Sequence, residues 1–502
     1  MIIHAGFLRL IKSYRGSVKV NKIDFTNGGR VMGKLIVVRH GETDFNVEGR
    51  YTGRVDVSLN KKGLEQARIT AAKLKDMCID IIISSTLKRA KETAEIITKE
   101  LKIPILEMEE LIEKYVGVYE GLTREEAKAK YPHMWEANAP EGAETLEEVK
   151  ERVYKALSII QWKYLHNKNV LLVTHGYVSK VINRYFANTT DEEFAKYILR
   201  NCDYHEYSMC LKKNLYKELE ALGLENNEHI ALEEIRNKDG IYLYRVKYKD
   251  ENFILKYFLN HDYKREISNY SLLKRLEVPT IKVFGTTDNS LFLEDIDKSQ
   301  DYRLGTEEDL SDPEVARAIA KWYKKLHQRG LERPIKDNER FYREIDSITK
   351  ENIQAMKIKS NTNDNSLWNL IEDNWGLFLS IIKGLEETLN YNDFYWTNLV
   401  VRKDKKEALM FDYNFLGIGS RYNDIRNVTV SLSEAAKDAF MDEYGGFSQK
   451  EKVIDDVTTP LITLISAYKK DTFPKWAEEA QKSINDGTLE KNIRNLLELN
   501  GS

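Results

Sequence analysis

From Lys34 to about Tyr207, short apolar runs alternate with amphipathic segments. The apolar runs are unbroken, as in strands buried on both faces, and the amphipathic segments repeat apolar residues at helical spacing. Strands of this kind that alternate with helices are typical of a parallel sheet covered on both sides, so we expect an α/β domain. The pattern predicts strands at 35–38, 79–83 and 170–174, and helices at 59–76, at 88–101 and from Val178 onward.

A different pattern begins near residue 212, where a polar helical stretch over 212–230 precedes two apolar runs. The runs IYLYRVKY and NFILKYF flank the turn Lys249-Asp250-Glu251, which predicts a β-hairpin. The remaining predicted elements are a helix over 265–276, strands at 280–285 and 290–295, a mostly helical part over 313–499, and strand-like runs at 399–401 and 408–411.

These patterns divide the chain into three segments, with a border near 210 that no low-complexity linker marks. Residues 1–31 show no clear period, and we expect an N-terminal extension that is untranslated or disordered. Our hypothesis is that Gly28-Gly29-Arg30 is the translation of a purine-rich ribosome-binding site and that Met32 is the true start. A native N-terminal peptide beginning before Met32 would contradict it. We therefore predict domains over 32–210 and 211–502.

Composition narrows the class of protein. The 502 residues are 42% hydrophobic and 31% charged, with a net charge of −3, so nothing in the overall charge favours binding to nucleic acid or to an anionic membrane. No apolar run approaches the roughly 20 residues that a membrane span needs. Three scattered cysteines (Cys78, Cys202 and Cys210) are typical of reduced thiols, and we expect a cytoplasmic protein.

Candidate chemistry in the first domain lies where its predicted strands end. The run Arg39-His40-Gly41-Glu42-Thr43 follows the first strand, His175 follows the last, and Arg89 lies just past the strand at 79–83. The carboxyl ends of parallel strands share one edge of a sheet, where open α/β sheets bind ligands. Arginine forks match phosphate oxygens, and a neutral imidazole can attack phosphorus. The pattern indicates phosphoryl transfer.

These residues closely resemble the histidine phosphatase superfamily, and the resemblance covers roughly Lys34 to Tyr207. It implies a three-layer α/β/α fold of the phosphoglycerate-mutase type. Thr86 stands where a proline is usual, and Ala143 where a more polar pattern is common. After the opening run at 39–43, the matching motifs are Asn46, Tyr51 to Arg54, Ser85 to Ala90, Leu111 to Gly121, and Pro140 to Thr145.

The resemblance implies that His40 becomes a phosphohistidine, that Glu113 donates the proton to the leaving group, and that no metal is needed. The acid segment Glu113-Lys114-Tyr115-Val116-Gly117 differs from the Glu-Arg-His-Tyr-Gly of the mutases, which favours a phosphatase; a mutase is the alternative. By the same resemblance, the residues that bind the phosphoryl group and the substrate are Arg39, Arg89, His175, Asn46, Thr52 and Gly53.

A second set of residues suggests ATP-dependent chemistry in the C-terminal half. Asp393 and Asn398 precede one strand-like run, and Asp412 follows the next, so they can supply one base and two metal ligands. Lys256 lies in a predicted strand and Glu266 in the next helix, as in the ion pair that orders the phosphates of ATP.

This half is similar to the aminoglycoside phosphotransferase and choline kinase-like family over about residues 218–500, which implies a bilobal, protein-kinase-like α+β domain. The resemblance makes Asp393 the base and Asp424 a supporting aspartate. Tyr391 replaces the usual histidine, and the expected nucleotide loop, 235–240, has a single glycine. The implied ATP-binding residues are Lys256, Glu266, Glu294 and Ile296, and the implied Mg²⁺ ligands are Asn398 and Asp412.

Together these observations predict a bifunctional enzyme. One half would hydrolyse a small phosphomonoester without a cofactor, and the other would use ATP and Mg²⁺ to phosphorylate a small-molecule hydroxyl group. A mutase-type N-terminal half, or an inactive kinase-like half that only senses nucleotide, are the alternatives. The expected partners are small molecules, with neither nucleic acid nor membrane among them.

Overall fold

Two groups of residues pack separately in the computed structural model of the protein, which describes residues 31–137, 140–187, 189–224, 230–332, 341, 343–470 and 472–499. Within these ranges the first unit comprises residues up to 264 together with 285–292, and the second comprises 265–284 and everything from 293 onward. The predicted N-terminal extension, 1–31, lies outside the described residues except for Val31.

The strands and helices are numbered here in chain order. The strands are β1 (Val31–Arg39), β2 (Ile81–Ser85), β3 (Ile105–Met108), β4 (Val170–Thr174), β5 (Tyr204–Cys210), β6 (Ile230–Lys238), β7 (Ile241–Tyr248), β8 (Glu251–Phe258), β9 (Val283–Thr286), β10 (Ser290–Glu294), β11 (Tyr302–Leu304), β12 (Thr388–Asn390), β13 (Leu399–Arg402), β14 (Ala408–Met410) and β15 (Gly417–Gly419). In the first unit the helices are α1 (Asp44–Val47), α2 (Lys61–Leu74), α3 (Lys88–Leu101), α4 (Arg124–Lys130), α5 (Pro132–Ala137), α6 (Leu146–Ile160), α7 (Gly176–Ala187), α8 (Asp191–Lys196) and α9 (Leu211–Ala221). In the second unit they are α10 (Arg265–Arg275), α11 (Pro313–Glu332), α12 (Lys350–Lys359), α13 (Ser366–Asp373), α14 (Trp375–Lys383), α15 (Arg421–Thr429), α16 (Glu434–Tyr444), α17 (Gln449–Ala467), α18 (Glu478–Asn485) and α19 (Thr488–Glu498).

The first sheet has the strand order β3-β2-β4-β1-β5. Strands β1 and β4 are parallel neighbours in a register that sets Arg39 opposite Thr174, and β2 is parallel to both β3 and β4. The predicted parallel-sheet core is therefore confirmed. The edge strand β5 runs antiparallel to β1, and the sequence pattern did not predict it.

Alternate residues of the central strands pack into two different apolar clusters. Leu35 and Val37 contact the cluster that α6 and α7 complete, whereas Ile36 and Val38 contact the one formed with α2 and α3. All four side chains are fully buried. The sheet is thus covered on both faces, as its unbroken apolar strands predicted.

The first unit does not end at residue 210. Strands β6, β7 and β8 pair antiparallel within a sheet of order β6-β7-β8-β10-β9, which confirms the predicted hairpin over 241–258. Strand β6 begins at Ile230, the last residue of the stretch that we predicted to be helical, and its second half lies in the expected nucleotide loop. Leu219 of α9, Val246 of β7 and Leu255 of β8 belong to the same apolar cluster as Leu35.

The second unit is mostly helical, as predicted, and contains two small sheets, β11-β13-β14 and β12-β15. One of its apolar clusters is formed by α12, α13, α14, α17, α18 and α19 around the fully buried Trp368. Among the described residues, every helix is too short or too polar to span a lipid bilayer.

Candidate active site

The carboxyl ends of β1 and β4 bring two histidines together. His40 follows β1 and His175 follows β4, and their ring centroids lie 5.2 Å apart with the ring planes inclined by 57°. Both side chains are buried, with 3% and 0% of their surface exposed. The two residues are 135 positions apart in sequence. The pairing of β1 with β4 brings them together, as the strand-end motifs led us to expect.

Hydrogen bonds fix the tautomer of His40. Nδ1 lies 2.7 Å from the carbonyl oxygen of Gly41, which can only accept, so Nδ1 carries the proton. Nε2 then offers its lone pair, and the Nε–H of Arg89 donates to it at 3.3 Å. Burial, followed by the positive charges of Arg89 and Arg39, holds the pKa of His40 well below 6.5. His40 is therefore a neutral imidazole whose unprotonated nitrogen, Nε2, faces a guanidinium group.

Arg89 is almost completely buried at the start of α3 and also contacts the rim of the site. Its Nη1 donates to the carbonyl of Val55 at 2.9 Å and its Nη2 to that of Gly53 at 2.8 Å. Gly53 adopts a left-handed backbone conformation (φ +47°), and a β-carbon there would lie 2.2 Å from Oε1 of Glu120. The predicted rim residue Thr52 is half-buried beside it, and its carbonyl accepts from the N–H of Val55 at 2.9 Å.

On the two residues that flank His40, Arg39 and His175, one buried nitrogen each has no hydrogen-bond partner within the described part of the chain. They are Nε of Arg39 and Nδ1 of His175. Arg39 is held elsewhere, since its Nη1 donates to the carbonyl of Leu199 at 3.0 Å, and Nε2 of His175 lies 2.8 Å from Oγ of Ser85. Buried polar atoms are nearly always paired, so these two indicate a place for a polar ligand. Nε–H of Arg39 can only donate, and Nδ1 of His175 donates in the tautomer whose Nε2 accepts from Ser85.

Glu113 stands at the same end of the sheet. Its Oε2 accepts from the backbone N–H of Tyr177, two residues after His175, at 3.2 Å, and its Oε1 accepts from the N–H of Lys114 at 2.9 Å. Burial lowers the pKa of Arg39 and of Arg89, and the nearby charge of Glu113 opposes both shifts. Glu113 thus interacts electrostatically with both arginines at this end of the sheet.

Asn46 completes the capping box of α1 with the N-cap Thr43, and it has a partner that sequence reasoning missed. Its Oδ1 accepts from the N–H of Thr43 at 3.2 Å and from Nδ2 of Asn201 at 3.3 Å. The same amide of Asn201 donates to the carbonyl of His40 at 2.9 Å. Asn201 lies in a polar loop with no motif around it, so its sequence carried no signal.

In the second unit, the predicted base and metal ligands lie around paired strands. Asn398 donates from Nδ2 to Oδ2 of Asp393 at 3.0 Å. Asn398 directly precedes β13 and Asp412 follows β14, and the N–H of Phe411 donates to the carbonyl of Asn398 at 3.1 Å. In the described residues no three His, Cys, Asp or Glu side chains are grouped to hold a metal ion. Two oxygen ligands completed by phosphates would suit Mg²⁺.

Asp424 organises the loop before Asp393. Its carboxylate accepts from the backbone N–H groups of Tyr391 and Asn392 at 2.8 and 2.9 Å, and it lies 3.1 Å from Nε2 of His327. The hydroxyl of Tyr391, which replaces the usual histidine, donates to the carbonyl of Phe411. The tyrosine therefore links the loop to the strand that ends before Asp412.

The predicted ATP-binding residues are divided between the units. Lys256 is buried on β8 of the first unit, with Nζ 5.5 Å from the centre of the Phe258 ring. Glu266 in the first turn of α10, Glu294 at the end of β10 and the buried Ile296 belong to the second. The expected nucleotide loop is β-strand up to Lys238, so only a two-residue turn remains between β6 and β7. Their roles stay predictions.

Comparisons with known proteins match the first unit. Residues 35–219 match the sequence profile of the histidine phosphatase superfamily (branch 1). An uncharacterised phosphatase, PhoE, of Bacillus subtilis (strain 168) is 43% identical over 145 residues, which cover 29% of this chain and 72% of that protein. Phosphoserine phosphatase 1 of Hydrogenobacter thermophilus is 30% identical over 185 residues, covering 36% of this chain and 86% of the relative.

Solved structures match part of the chain as well. That of Bacillus stearothermophilus YhfR is 32% identical and covers 35% of this chain and 90% of the other, with a TM-score of 0.33. The stretch that matches the family profile includes both histidines at the strand ends, His40 and His175. Through residues 35–219, the chain belongs to the histidine phosphatase superfamily.

Proposed function

We propose that the first unit hydrolyses small phosphomonoesters through a phosphohistidine at Nε2 of His40. The observation that carries this proposal is the pair of buried, unpaired nitrogens on Arg39 and His175 beside a neutral His40 whose Nδ1 is already bonded. A phosphoryl group against Nε2 of His40 would supply acceptors for both nitrogens. Arg89 would add charge-assisted hydrogen bonds to the same oxygens.

The two steps balance with the groups at hand. Nε2 of His40 attacks phosphorus, the ester P–O bond breaks, and the leaving oxygen takes a proton from Glu113. Water then attacks the phosphohistidine, Glu113 takes a proton from that water, and the P–N bond breaks to release phosphate. Arg39, Arg89 and His175 stabilise the charge on the three non-bridging oxygens in both transition states.

A small substrate is favoured because the phosphate-binding groups are buried and because the relatives above include a phosphoserine phosphatase. Transfer to a second hydroxyl group instead of water would make the site a mutase. A mutase would convert one phosphate ester into another without net release of phosphate, whereas the proposed phosphatase releases one phosphate for each ester consumed.

Replacing the nucleophile tests the proposal. We expect His40→Ala to lower kcat/KM for 4-nitrophenyl phosphate by at least about 10³-fold, since the substitution removes the nitrogen that would attack phosphorus. Rapid quenching with ³²P-labelled substrate should trap an acid-labile phosphoenzyme in the parent only. His205→Ala, which removes an exposed imidazole on the edge strand β5, serves as the control. A phosphoenzyme in His40→Ala would contradict the proposal.

We also propose that the C-terminal half transfers a phosphoryl group from ATP to a small-molecule hydroxyl. The contact between Asn398 and Asp393 and the position of Asp412 at the end of the paired strand favour it. Asn398 and Asp412 would hold Mg²⁺, which neutralises phosphate charge when bound, and Asp393 would accept the proton of the hydroxyl group. Glu266, Glu294 and Ile296 of the second unit would contact ATP.

Phosphate transfer from γ-³²P-labelled ATP to a panel of sugars and amino alcohols tests this second proposal. The His40→Ala background prevents hydrolysis of the product. We expect Asp393→Ala to abolish transfer and Asp404→Ala, in the exposed turn after β13, to leave it unchanged. Binding of ATP without transfer to any member of the panel would support the alternative of a nucleotide-sensing half.

A further inference from the structure

One ion pair holds the segment that carries Glu113. Arg152 of α6 and Glu144, just before that helix, form a bidentate pair with N–O distances of 2.9 Å for both contacts. Their side chains are only 16% and 15% exposed. A pair with this geometry and this burial is far more constrained than a solvated surface pair.

Arg152 uses its remaining donors on the backbone leading to the acid. Its Nη1 donates to the carbonyl of Glu110 at 2.8 Å and to that of Ile112 at 2.7 Å. Its Nη2 donates to the carbonyl of Glu113 itself at 3.3 Å. One guanidinium group therefore fixes three carbonyls over four residues.

Glu144 binds the other side of the same segment. Its Oε2 accepts from the N–H of Tyr115 at 2.8 Å, and its own N–H donates to the carbonyl of Tyr115 at 3.0 Å. Its Oε1 also accepts from Arg54 of the rim at 2.7 Å. Burial alone would raise the pKa of Glu144, but hydrogen bonds from Arg152 and Tyr115 lower it overall, so the carboxylate stays ionised.

The segment needs this support because it has no regular structure of its own. Residues 112–116 form neither helix nor strand. The carboxylate of Glu113 accepts from two backbone N–H groups, one of them on the adjacent Lys114, so its position follows the position of its own backbone. We call the hydrogen bonds that Arg152 and Glu144 make to the backbone of residues 110–115 the clamp. The clamp fixes this segment as hydrogen bonds between paired strands would.

We infer that Arg152 and Glu144 are positioning residues that hold Glu113 where it can protonate the leaving group. This inference rests on the proposed phosphatase function. Arg152 acts through the backbone of the acid segment, and Glu144 couples that segment to the rim through Arg54. Because a displacement of about 1 Å can cost on the order of 10²-fold in rate, loss of the clamp should appear in the protonation step.

The test measures how kcat/KM depends on the leaving group in the full-length chain. The probes are a series of substituted phenyl phosphates and one alkyl phosphate. We expect Arg152→Met to lower kcat/KM for the alkyl phosphate by about 10- to 100-fold and for 4-nitrophenyl phosphate by less than about threefold, since only a poor leaving group needs the proton. Arg68→Met, which breaks an exposed pair with Glu65, is the matched control.

A double-mutant cycle separates positioning from general damage. If Arg152 acts through Glu113, Arg152→Met should have no further effect on the alkyl phosphate in the Glu113→Gln background. Equal losses for all leaving groups, or effects that simply add to those of Glu113→Gln, would overturn the inference. A Glu113→Gln variant without leaving-group dependence would instead refute the acid role, and the inference with it.

Two further variants keep the test decisive if Arg152→Met folds poorly. Glu144→Gln keeps an acceptor for the N–H of Tyr115 but loses the ion pair, and it should show the same dependence on leaving group in weaker form. Arg152→Ala should recover activity toward the alkyl phosphate when guanidinium ion is added at concentrations that leave the melting temperature unchanged. Failure of both to alter the leaving-group dependence would contradict the inference.

Discussion

At the scale of single residues, the protonation of His40 is set by its neighbours. The carbonyl of Gly41 takes the Nδ1 proton, and Arg89 donates to Nε2, so an additional proton has no place to bind. A protonated ring would also lie beside two buried guanidinium groups. The structure therefore favours the neutral, nucleophilic form of the ring over a wide range of pH.

We predict that the His40 ring stays neutral, with its proton on Nδ1, as pH falls from 8 to 6. Burial and the two arginines lower its folded-state pKa, so protonation starts only below the ordinary value of 6.5. Because the unfolded chain gains this proton near 6.5, the contribution of His40 to stability is present above that pH and is lost as pH falls further. The ¹⁵N chemical shifts of labelled histidine, assigned with His40→Gln, report whether the ring is neutral and which nitrogen carries its proton. A midpoint near 6.5 would contradict the prediction.

The residues of the site differ in how visible they were in the sequence. His40, Arg89 and His175 follow apolar strands, and strand ends predict where ligands bind. Asn201 contacts the site from a polar loop. Arg152 contacts the acid segment from a polar position of helix α6. Their roles come from contacts across 161 and 39 positions, which no local pattern encodes.

At the scale of elements, helix α2 approaches the strand-end loop very closely. Its N-cap Asn60 accepts from the N–H of Gly63 at 2.8 Å, and a β-carbon on Gly63 would lie 2.1 Å from the carbonyl oxygen of Glu42. The residue before Glu42 is Gly41, whose carbonyl holds His40. Packing of the helix thus supports the tautomer of His40, the proposed nucleophile.

We predict that Gly63→Ala destabilises the first unit by about 1–3 kcal/mol, because backbone atoms must shift to admit the methyl group. The melting temperature and kcat/KM for 4-nitrophenyl phosphate should both fall. Gly376→Ala, at a helical position of α14 with open space around it, is the matched control and should leave both unchanged or raise the melting temperature slightly. An unaltered melting temperature in Gly63→Ala would argue against the close approach.

Central elements were easier to predict than edge elements. The central parts of strands β1, β2 and β4, residues 35–38, 81–83 and 170–173, are buried, and their sequences are continuous apolar runs. Strand β5 (YHEYSMC) and strand β6 (IALEEIRNK) mix polar and apolar residues because part of each faces solvent. Their strand structure depends on pairing with neighbouring strands, which the sequence pattern does not reveal. For this reason the predicted helical stretch, 212–230, was extended to the start of β6.

At the scale of the whole molecule, the apolar core of the first unit extends well beyond the predicted border at 210. Leu215 and Leu219 of α9, together with Tyr242, Val246 and Leu255 of the following strands, belong to the cluster that packs against the first sheet. The family match also ends at residue 219, within α9. Removing these residues would expose apolar surface that the intact unit buries.

We predict that a fragment over 32–210 unfolds at lower temperature and less cooperatively than a fragment over 32–264. Each fully buried leucine that is lost removes about 1.5–3 kcal/mol of burial free energy. The fragment ending at residue 264 keeps α9 and β6 to β8 and is the control. Calorimetry and binding of a hydrophobic dye measure the difference, and identical melting curves would show that the extra strands do not belong to this core.

The hydrogen bonds of Arg89 have a thermodynamic consequence. With Nη1 and Nη2 both donated to carbonyls of the rim, its charge cannot swing toward an incoming anion or away from a departing one. A substrate therefore meets a field that is already oriented, and little reorganisation remains for the transition state. The free-energy cost of desolvating the guanidinium group of Arg89 arises once, when the chain folds, and does not recur at each turnover.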